Sequence, residues 1–244
     1  MTAPQANAAL PALGSGAMFD RIARRYDLVN RVLSLGLDRS WRRRTVRAVT
    51  GPLGDAPRIL DVATGTGDLA IDLARGCPSA TVIGLDPSTQ MLAIGNAKLA
   101  KRGLTDRVSL VVGDAQQLPF ADGEMDGATI AFGIRNVPDR MLGLRELARV
   151  VRPGGRIGVL ELGEPRGGVL GRAARFHTRH IVPRLGGLLS GTREYAYLQS
   201  SIAAFPPADA FASMMQHAGL HVLAVTPLTF GACTLFVATP AEAS

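Results

Sequence analysis

The first apolar positions repeat at helical spacing. Phe19, Ile22, Tyr26, Val29 and Leu33 recur at steps of three and four, one stripe of an amphipathic helix that begins near Met18. Arg21, Arg24, Arg25 and Arg31 fall mostly off the stripe, and Gly36 ends it. Asp38 or Ser40 is expected to cap a second helix carrying Trp41, Arg42, Arg43, Arg44 and Arg47. After Gly51-Pro52 the period changes. Short apolar runs with little alternation predict strands at Arg58–Ala63, Thr81–Asp86, Val108–Gly113, Gly127–Phe132 and Arg156–Glu161. Helices are predicted between them at Asp68–Arg75, Ser88–Arg102 and Met141–Val150. A last helix at Asp209–Ala218 precedes two strands, His221–Thr226 and Thr234–Thr239, joined by a turn through Pro227 and Gly231.

Strand–helix alternation at this spacing predicts a doubly wound, Rossmann-like α/β fold. Its sheet has seven strands, mostly parallel, with an antiparallel C-terminal strand. Residues 1–16, rich in Ala, Pro and Gly, read as a disordered tail. Residues 17–240 read as one domain, with 17–50 a helical cap. Residues 165–205, Gly-rich and basic, break the alternation and read as an insertion over the substrate side.

Composition narrows the function classes. Apolar residues make up 47% of the 244 and charged residues 19%, which suits a packed core. The net charge of +7 first points to nucleic acid or an anionic membrane surface. That charge is uneven: residues 1–60 hold ten basic and four acidic groups, whereas 61–160 hold eleven of each. With aromatics at 5% and no stacking pattern, a nucleic-acid partner is not expected. Cys77 and Cys233 form no CxxC pair and read as reduced thiols of a cytoplasmic protein. The start of the chain lacks a signal-peptide pattern, and no apolar run is long enough to span a bilayer.

The strongest local signal is Ile59–Asp68, in which Gly65 and Gly67 lie between a strand and a helix. Such glycines let the backbone turn sharply and approach a ligand closely. With Ala70 the spacing also fits a dinucleotide fingerprint, so the loop alone leaves nicotinamide and methyl-donor cofactors open. Asp86 ends the next strand, where a carboxylate can accept both ribose hydroxyls or cap the following helix. Asp114 ends the third strand and can take an adenine amino proton, with the Ala115 backbone N–H beside it. Asp61, Asp86 and Asp114 thus end three successive strands on one edge of the sheet.

These residues, with the run Leu144–Gly155 closing on Arg-Pro-Gly-Gly, resemble the class I S-adenosylmethionine-dependent methyltransferases. Further patches resemble one family among them, the ubiquinone/menaquinone biosynthesis C-methyltransferases. They are Phe19–Ala23 with Tyr26, Asp27 and Asn30; Leu33–Gly36 with Trp41-Arg42; Phe132–Val137; Tyr195–Leu198 with Ser201-Ile202 and Phe205-Pro206; and Leu228–Gly231. The resemblance runs over residues 18–237. It implies S-adenosylmethionine as cofactor, with contacts at Thr66, Asp86, Asp114 and Ala115, supported by Asp61, Gly65, Gly67 and Met91. Many members carry Ser where Ala131 stands, so a backbone contact is implied there. Tyr26 is implied to close over the methionine part.

The reaction implied is methylation of a ring carbon in a prenylated quinol, with demethylmenaquinol ahead of 2-methoxy-6-polyprenyl-1,4-benzoquinol. A quinol phenol titrates near ~10, like Tyr, and a cation beside it holds the more nucleophilic phenolate. Arg135 is the candidate for that role, with Asn136 as the orienting partner. His177 with His180, and His217 with His221, have helical metal spacing but no accompanying Glu or Cys pair. They are expected on helix surfaces, and no metal is expected. The Glu161–Glu164 pair lacks a partner that would suggest glycoside chemistry. Methylation of RNA or another small molecule, a nicotinamide reductase and a non-catalytic cofactor-binding subunit are the rival readings. Phe19, Leu33, Trp41 and the Arg cluster could rest the N-terminal helices on the inner face of a membrane. The sequence leaves oligomeric state open.

Overall fold

The computed structural model describes Ala23, Arg31 and residues 34–163 and 192–241. The tail 1–16, most of the helix expected from Met18, Tyr26, the pair His177 and His180, and most of the 165–205 insertion lie outside the described residues.

Seven strands form one sheet: β1 Arg58–Val62, β2 Thr81–Asp86, β3 Val108–Val112, β4 Met125–Ala131, β5 Val151–Leu162, β6 Leu220–Leu228 and β7 Cys233–Pro240. Their order is β3-β2-β1-β4-β5-β7-β6. The first five pair in parallel, and β7 runs antiparallel to both β5 and β6. Among the described residues six helices accompany them: α1 Asp38–Thr50, α2 Asp68–Gly76, α3 Thr89–Arg102, α4 Arg140–Val150, α5 Thr192–Ala203 and α6 Ala208–His217. The sequence read α5 only as part of an insertion.

Successive strand residues serve opposite faces. Ile59 packs with Leu69, Leu73, Val82 and Leu99 on one face. Leu60 and Val62 pack with Ile130, Leu144, Phe211 and Phe236 on the other. Both faces are covered, which is why these strands read as nearly continuous apolar runs. The aromatic centre of the second layer is a chain of rings, Phe205, Phe211 and Phe236, at centroid distances of 4.8 and 4.9 Å.

Helix α1 lies directly on β4 and β5. A Cβ on Gly158 would come within 2.7 Å of the Val49 side chain, so only glycine admits the helix at that depth. Neither Asp38 nor Ser40 caps α1. Leu37 stands at the N-cap without a side-chain bond, because the chain arrives through a turn in which Leu35 and Gly36 are left-handed. Asp38 instead accepts from Ser34 Oγ at 2.8 Å and pairs with Arg42. His221 lies on β6 rather than on the helix of His217. The Arg-Pro-Gly-Gly segment is a bulge within β5. Val151 pairs with Met125 and Arg156 with Gly127, and the four residues between loop out with Gly154 at φ 77°.

Candidate functional site

The strand order reverses between β1 and β4, so a crevice opens beyond their carboxyl ends. Its floor depends on strained backbone. Ala63 after β1 and Phe132 after β4 both have positive φ, 51° and 57°. A Cβ on Gly133 would lie 2.6 Å from that of Ala63, so glycine is what lets the two strand ends sit together.

From Ala63 the chain turns through Gly65 and Gly67, at φ 55° and 76°, into α2. Three side chains hold this loop. Asp61, 1% exposed, accepts from Thr64 Oγ1 at 2.6 Å and from Thr129 Oγ1 at 2.7 Å. Burial raises its carboxyl to about 6; the two hydroxyls pull it back and the Asp86 charge pushes it further. Asp86 takes the Gly65 N–H at 2.8 Å on one oxygen and the Ser88 N–H at 2.9 Å on the other. Lys98 of α3 donates to Thr66 Oγ1 at 2.7 Å and to Asp68 at the same distance. The helix cap offered as an alternative role for Asp86 belongs to Ser88, whose Oγ accepts from Met91 N at 3.1 Å.

A cleft of about 510 Å³, counting its open mouth, lies over the loop. Asp61, Gly65, Thr66 and Ala131 line it together with Asp38, Arg42 and Phe132. Asp86 touches its wall through Gly65. Asp114 stands exposed at the end of β3, accepting from Gln116 N, and Ala115 packs half-buried on the core. The Met91 side chain is buried at 1% exposure and is not in the cleft wall.

Arg135 and Asn136 form a short 3-10 turn, Ile134–Asn136, beyond β4. The structure corrects one expectation about Arg135: its charge is already matched. Arg135 is 8% exposed, and its Nη1 donates to Glu161 Oε1 and, at 2.7 Å, to the Phe132 carbonyl. Glu161 is thus the buried partner of Arg135. The Arg135 Nε–H is buried and makes no hydrogen bond among the described residues. Tyr197 of α5 brings its hydroxyl to 3.1 Å from Asn136 Oδ1. Burial raises the Tyr197 phenol above its ordinary value, against the pull of Arg135 and Arg140.

A second correction concerns Arg42, which the sequence groups with the arginines that could face a membrane. Its side chain, 11% exposed, turns inward and meets Asp38 at 2.7 Å, Asp72 at 2.9 Å and Asp68 at 3.6 Å. The i,i+4 spacings Asp38–Arg42 and Asp68–Asp72 carried a signal for this network. Glu161 gave none, since it meets Arg135 only through the adjacency of β4 and β5.

A model of the ubiE/COQ5 methyltransferase family matches residues 13–240. The demethylmenaquinone methyltransferase of Thermus thermophilus is 48% identical over 222 residues, 90% of this chain and 98% of that protein. That of Deinococcus radiodurans is 44% identical over 222 residues, 90% of each. The ubiquinone/menaquinone biosynthesis C-methyltransferase UbiE of Syntrophotalea carbinolica is 44% identical over 226 residues, 93% of this chain and 94% of that one. Among solved structures, a SAM dependent methyltransferase from Aquifex aeolicus has a TM-score of 0.56 at 17% identity, over 80% of this chain and 92% of that chain. The cyclase SpnF has 0.58 at 20%, over 93% and 96%. A fold shared with a cyclase does not decide the chemistry. Sequence relationship over nearly the whole chain does: the chain belongs to the ubiE/COQ5 methyltransferase family and is a C-methyltransferase that uses S-adenosylmethionine.

Proposed function

We propose that the substrate is a prenylated quinol methylated at a ring carbon, and that it is demethylmenaquinol. The observation that carries the substrate end is the buried, unpartnered Arg135 Nε–H next to Asn136. A buried donor without an acceptor costs about 1–3 kcal/mol, so the site is built for an acceptor that arrives with the ligand. A quinol oxygen is such an acceptor. The naphthoquinol is favoured by the names of the Thermus and Deinococcus relatives.

The residues described fit the cofactor. Asp86 holds the Gly65 and Ser88 backbone N–H groups, which fixes its carboxylate beyond the end of β2, where a ribose would lie. Asp114 is exposed, and its carboxylate, held by the backbone N–H and side-chain amide of Gln116, is the acceptor for an adenine amino group, with the Ala115 N–H beside it. Thr66, Gly65 and Gly67 present the loop, Asp61 holds that loop from below, and the Ala131 backbone lies at the cleft. Met91 supports the start of α3 from the core.

S-adenosylmethionine supplies an electrophilic methyl group when bound. The chain contributes position and electrostatics, which is where most of the barrier to an in-line transfer between two bound partners is lowered. The Arg135–Glu161 pair is close to neutral as a unit. It therefore acts by aiming an N–H at the quinol oxygen, favouring the phenolate, rather than by adding a net positive charge. Tyr197 fixes the Asn136 amide through its hydroxyl. The ring proton leaves to water once the new carbon–carbon bond has formed.

The prenyl tail brings the substrate from a membrane, and we assign the collecting face to α1 and its neighbours. Arg39, Arg43, Arg44 and Arg47 are exposed there, as are Leu35, Leu37 and Phe230. Among the described residues no helix is long and apolar enough to cross a membrane, so the contact is peripheral. The deciding experiment is mass spectrometry of products after incubation with S-adenosylmethionine and each reduced quinone. A methylated naphthoquinol in excess is the expected result. Methylation of the benzoquinol alone overturns the naphthoquinol reading, and methylation of neither overturns the quinol reading.

A further inference from the structure

The cleft ends against α1, and two charged side chains of that helix belong to its wall. Asp38 and Arg42 stand one turn apart, with side chains 7% and 11% exposed, and both line the cleft. Asp114, Asp86, the glycine loop and Ala131 follow one another across β3, β2, β1 and β4. A cofactor with its adenine at Asp114 and its ribose at Asp86 therefore brings its other end over β1 and β4, to α1. That end is an α-amino acid, with an ammonium and a carboxylate on one carbon.

Arg42 is held for such a ligand from its far side. Its Nε donates to Asp72 at 2.9 Å and its Nη1 to Asp38 at 2.7 Å. Its Nη2 has only Asp68 at 3.6 Å, beyond hydrogen-bond reach, among the described residues. Asp38 accepts from Ser34 Oγ on one oxygen and from Arg42 on the other, which leaves lone pairs on both. Asp38, Asp68 and Asp72 surround the Arg42 guanidinium and Lys98 pairs with Asp68, so three carboxylates face two cations; the excess negative charge favours an ammonium, while Nη2 keeps donors for a carboxylate.

We propose that Asp38 and Arg42 of α1 clamp the amino-acid end of S-adenosylmethionine, the carboxylate on Arg42 and the ammonium on Asp38. The proposal rests on the reading of Asp86 and Asp114 as the adenosine end. It assigns α1, which lies outside the strand–loop motifs, a direct share of cofactor affinity.

Titration calorimetry on the full chain tests it with two ligands: S-adenosylmethionine, and methylthioadenosine, which is the same nucleoside without the amino-acid end. Asp38→Asn and Arg42→Gln are each expected to weaken S-adenosylmethionine about tenfold, one charge-assisted hydrogen bond's worth. Both should leave methylthioadenosine within about twofold. Asp72→Asn, which removes an Arg42 partner outside the cleft wall, is expected to change neither ligand by more than about threefold. Equal losses for both ligands, or a tenfold loss on Asp72→Asn, would mean that the pair only seats α1 and would overturn the clamp. Unchanged affinity in Asp38→Asn and Arg42→Gln would overturn it as well. If the unaltered chain binds S-adenosylmethionine but not methylthioadenosine, it is the adenosine-end reading that fails.

Discussion

A single carboxyl beneath the glycine loop couples the site to pH. Asp61 sits in the core with two threonine hydroxyls as donors, and burial raises its carboxyl from 3.8 to about 6. A raised folded-state value means that the folded chain holds the proton more tightly than the unfolded chain. The contribution is therefore fully present below about pH 4 and is lost as pH rises through 6. At 1.36 kcal/mol per unit the change is about 3 kcal/mol. Asp61→Asn should remove that slope, so the stability difference between variant and parent should grow from pH 4 to 6 and stay level above. Urea unfolding across that range checks it, and a flat difference would show that Asp61 titrates normally. Arg135 poses another question, since its loss strands Glu161 without a partner. Breaking a buried pair costs about 3–5 kcal/mol, so lost activity in Arg135→Met alone would be ambiguous. Adding Glu161→Gln removes the stranded charge while keeping an acceptor for the Leu162 N–H, 2.8 Å away. The double variant should regain most of the stability and none of the methyl transfer. Recovered turnover would show that Arg135 only supports the fold.

At the scale of elements, α1 is the piece on which several features converge. Trp41 is buried, stacks toward Phe132 at 6.2 Å and donates its Nε1–H to Thr229 Oγ1 at 2.9 Å. That bond ties α1 to the turn after β6, 188 residues away in sequence. Trp41→Phe should cost about 1 kcal/mol and Trp41→Ala about 3–5 kcal/mol. Thr229→Val combined with Trp41→Phe should cost scarcely more than Trp41→Phe alone, because both remove one bond. Denaturant unfolding of the parent, Trp41→Phe, Thr229→Val and the double variant measures that coupling, and additive costs would refute it. The strands of the sheet were legible in the sequence because burial on both faces leaves an unbroken apolar run. β5 and β6 nonetheless extend beyond their expected ends. The cap of α1 was not legible, since Leu35 and Gly36 set the direction of entry and left Asp38 free to serve Arg42. The Gly65–Gly67 loop and the three strand-end aspartates were legible because they are local or fall at a fixed place after each strand.

The whole molecule brings together what no local pattern could. Strand order is set by pairing between distant segments, so the sequence did not show that β4 and β5 place Glu161 beside Arg135, or that α1 meets α2 through Arg42. The same assembly redistributes the positive charge noted in the sequence. Arg42 is turned inward to three aspartates, whereas Arg39, Arg43, Arg44 and Arg47 remain exposed near Leu35, 66% exposed, and Phe230, 54% exposed. Trp41 holds the turn of Phe230 against α1, so apolar and basic groups share one corner. On an anionic bilayer each arginine near the surface contributes about 1 kcal/mol. Arg39→Gln, Arg43→Gln and Arg44→Gln together should therefore lower partition onto phosphatidylglycerol vesicles by roughly a hundredfold, or about 3 kcal/mol. Binding to phosphatidylcholine vesicles should be weak for parent and variant alike, and added salt should erase the difference between them. Arg42→Gln should leave vesicle binding unchanged, because that charge never faces the lipid. Flotation assays on the full chain report all three, and undiminished binding of the triple variant would move the membrane contact away from α1.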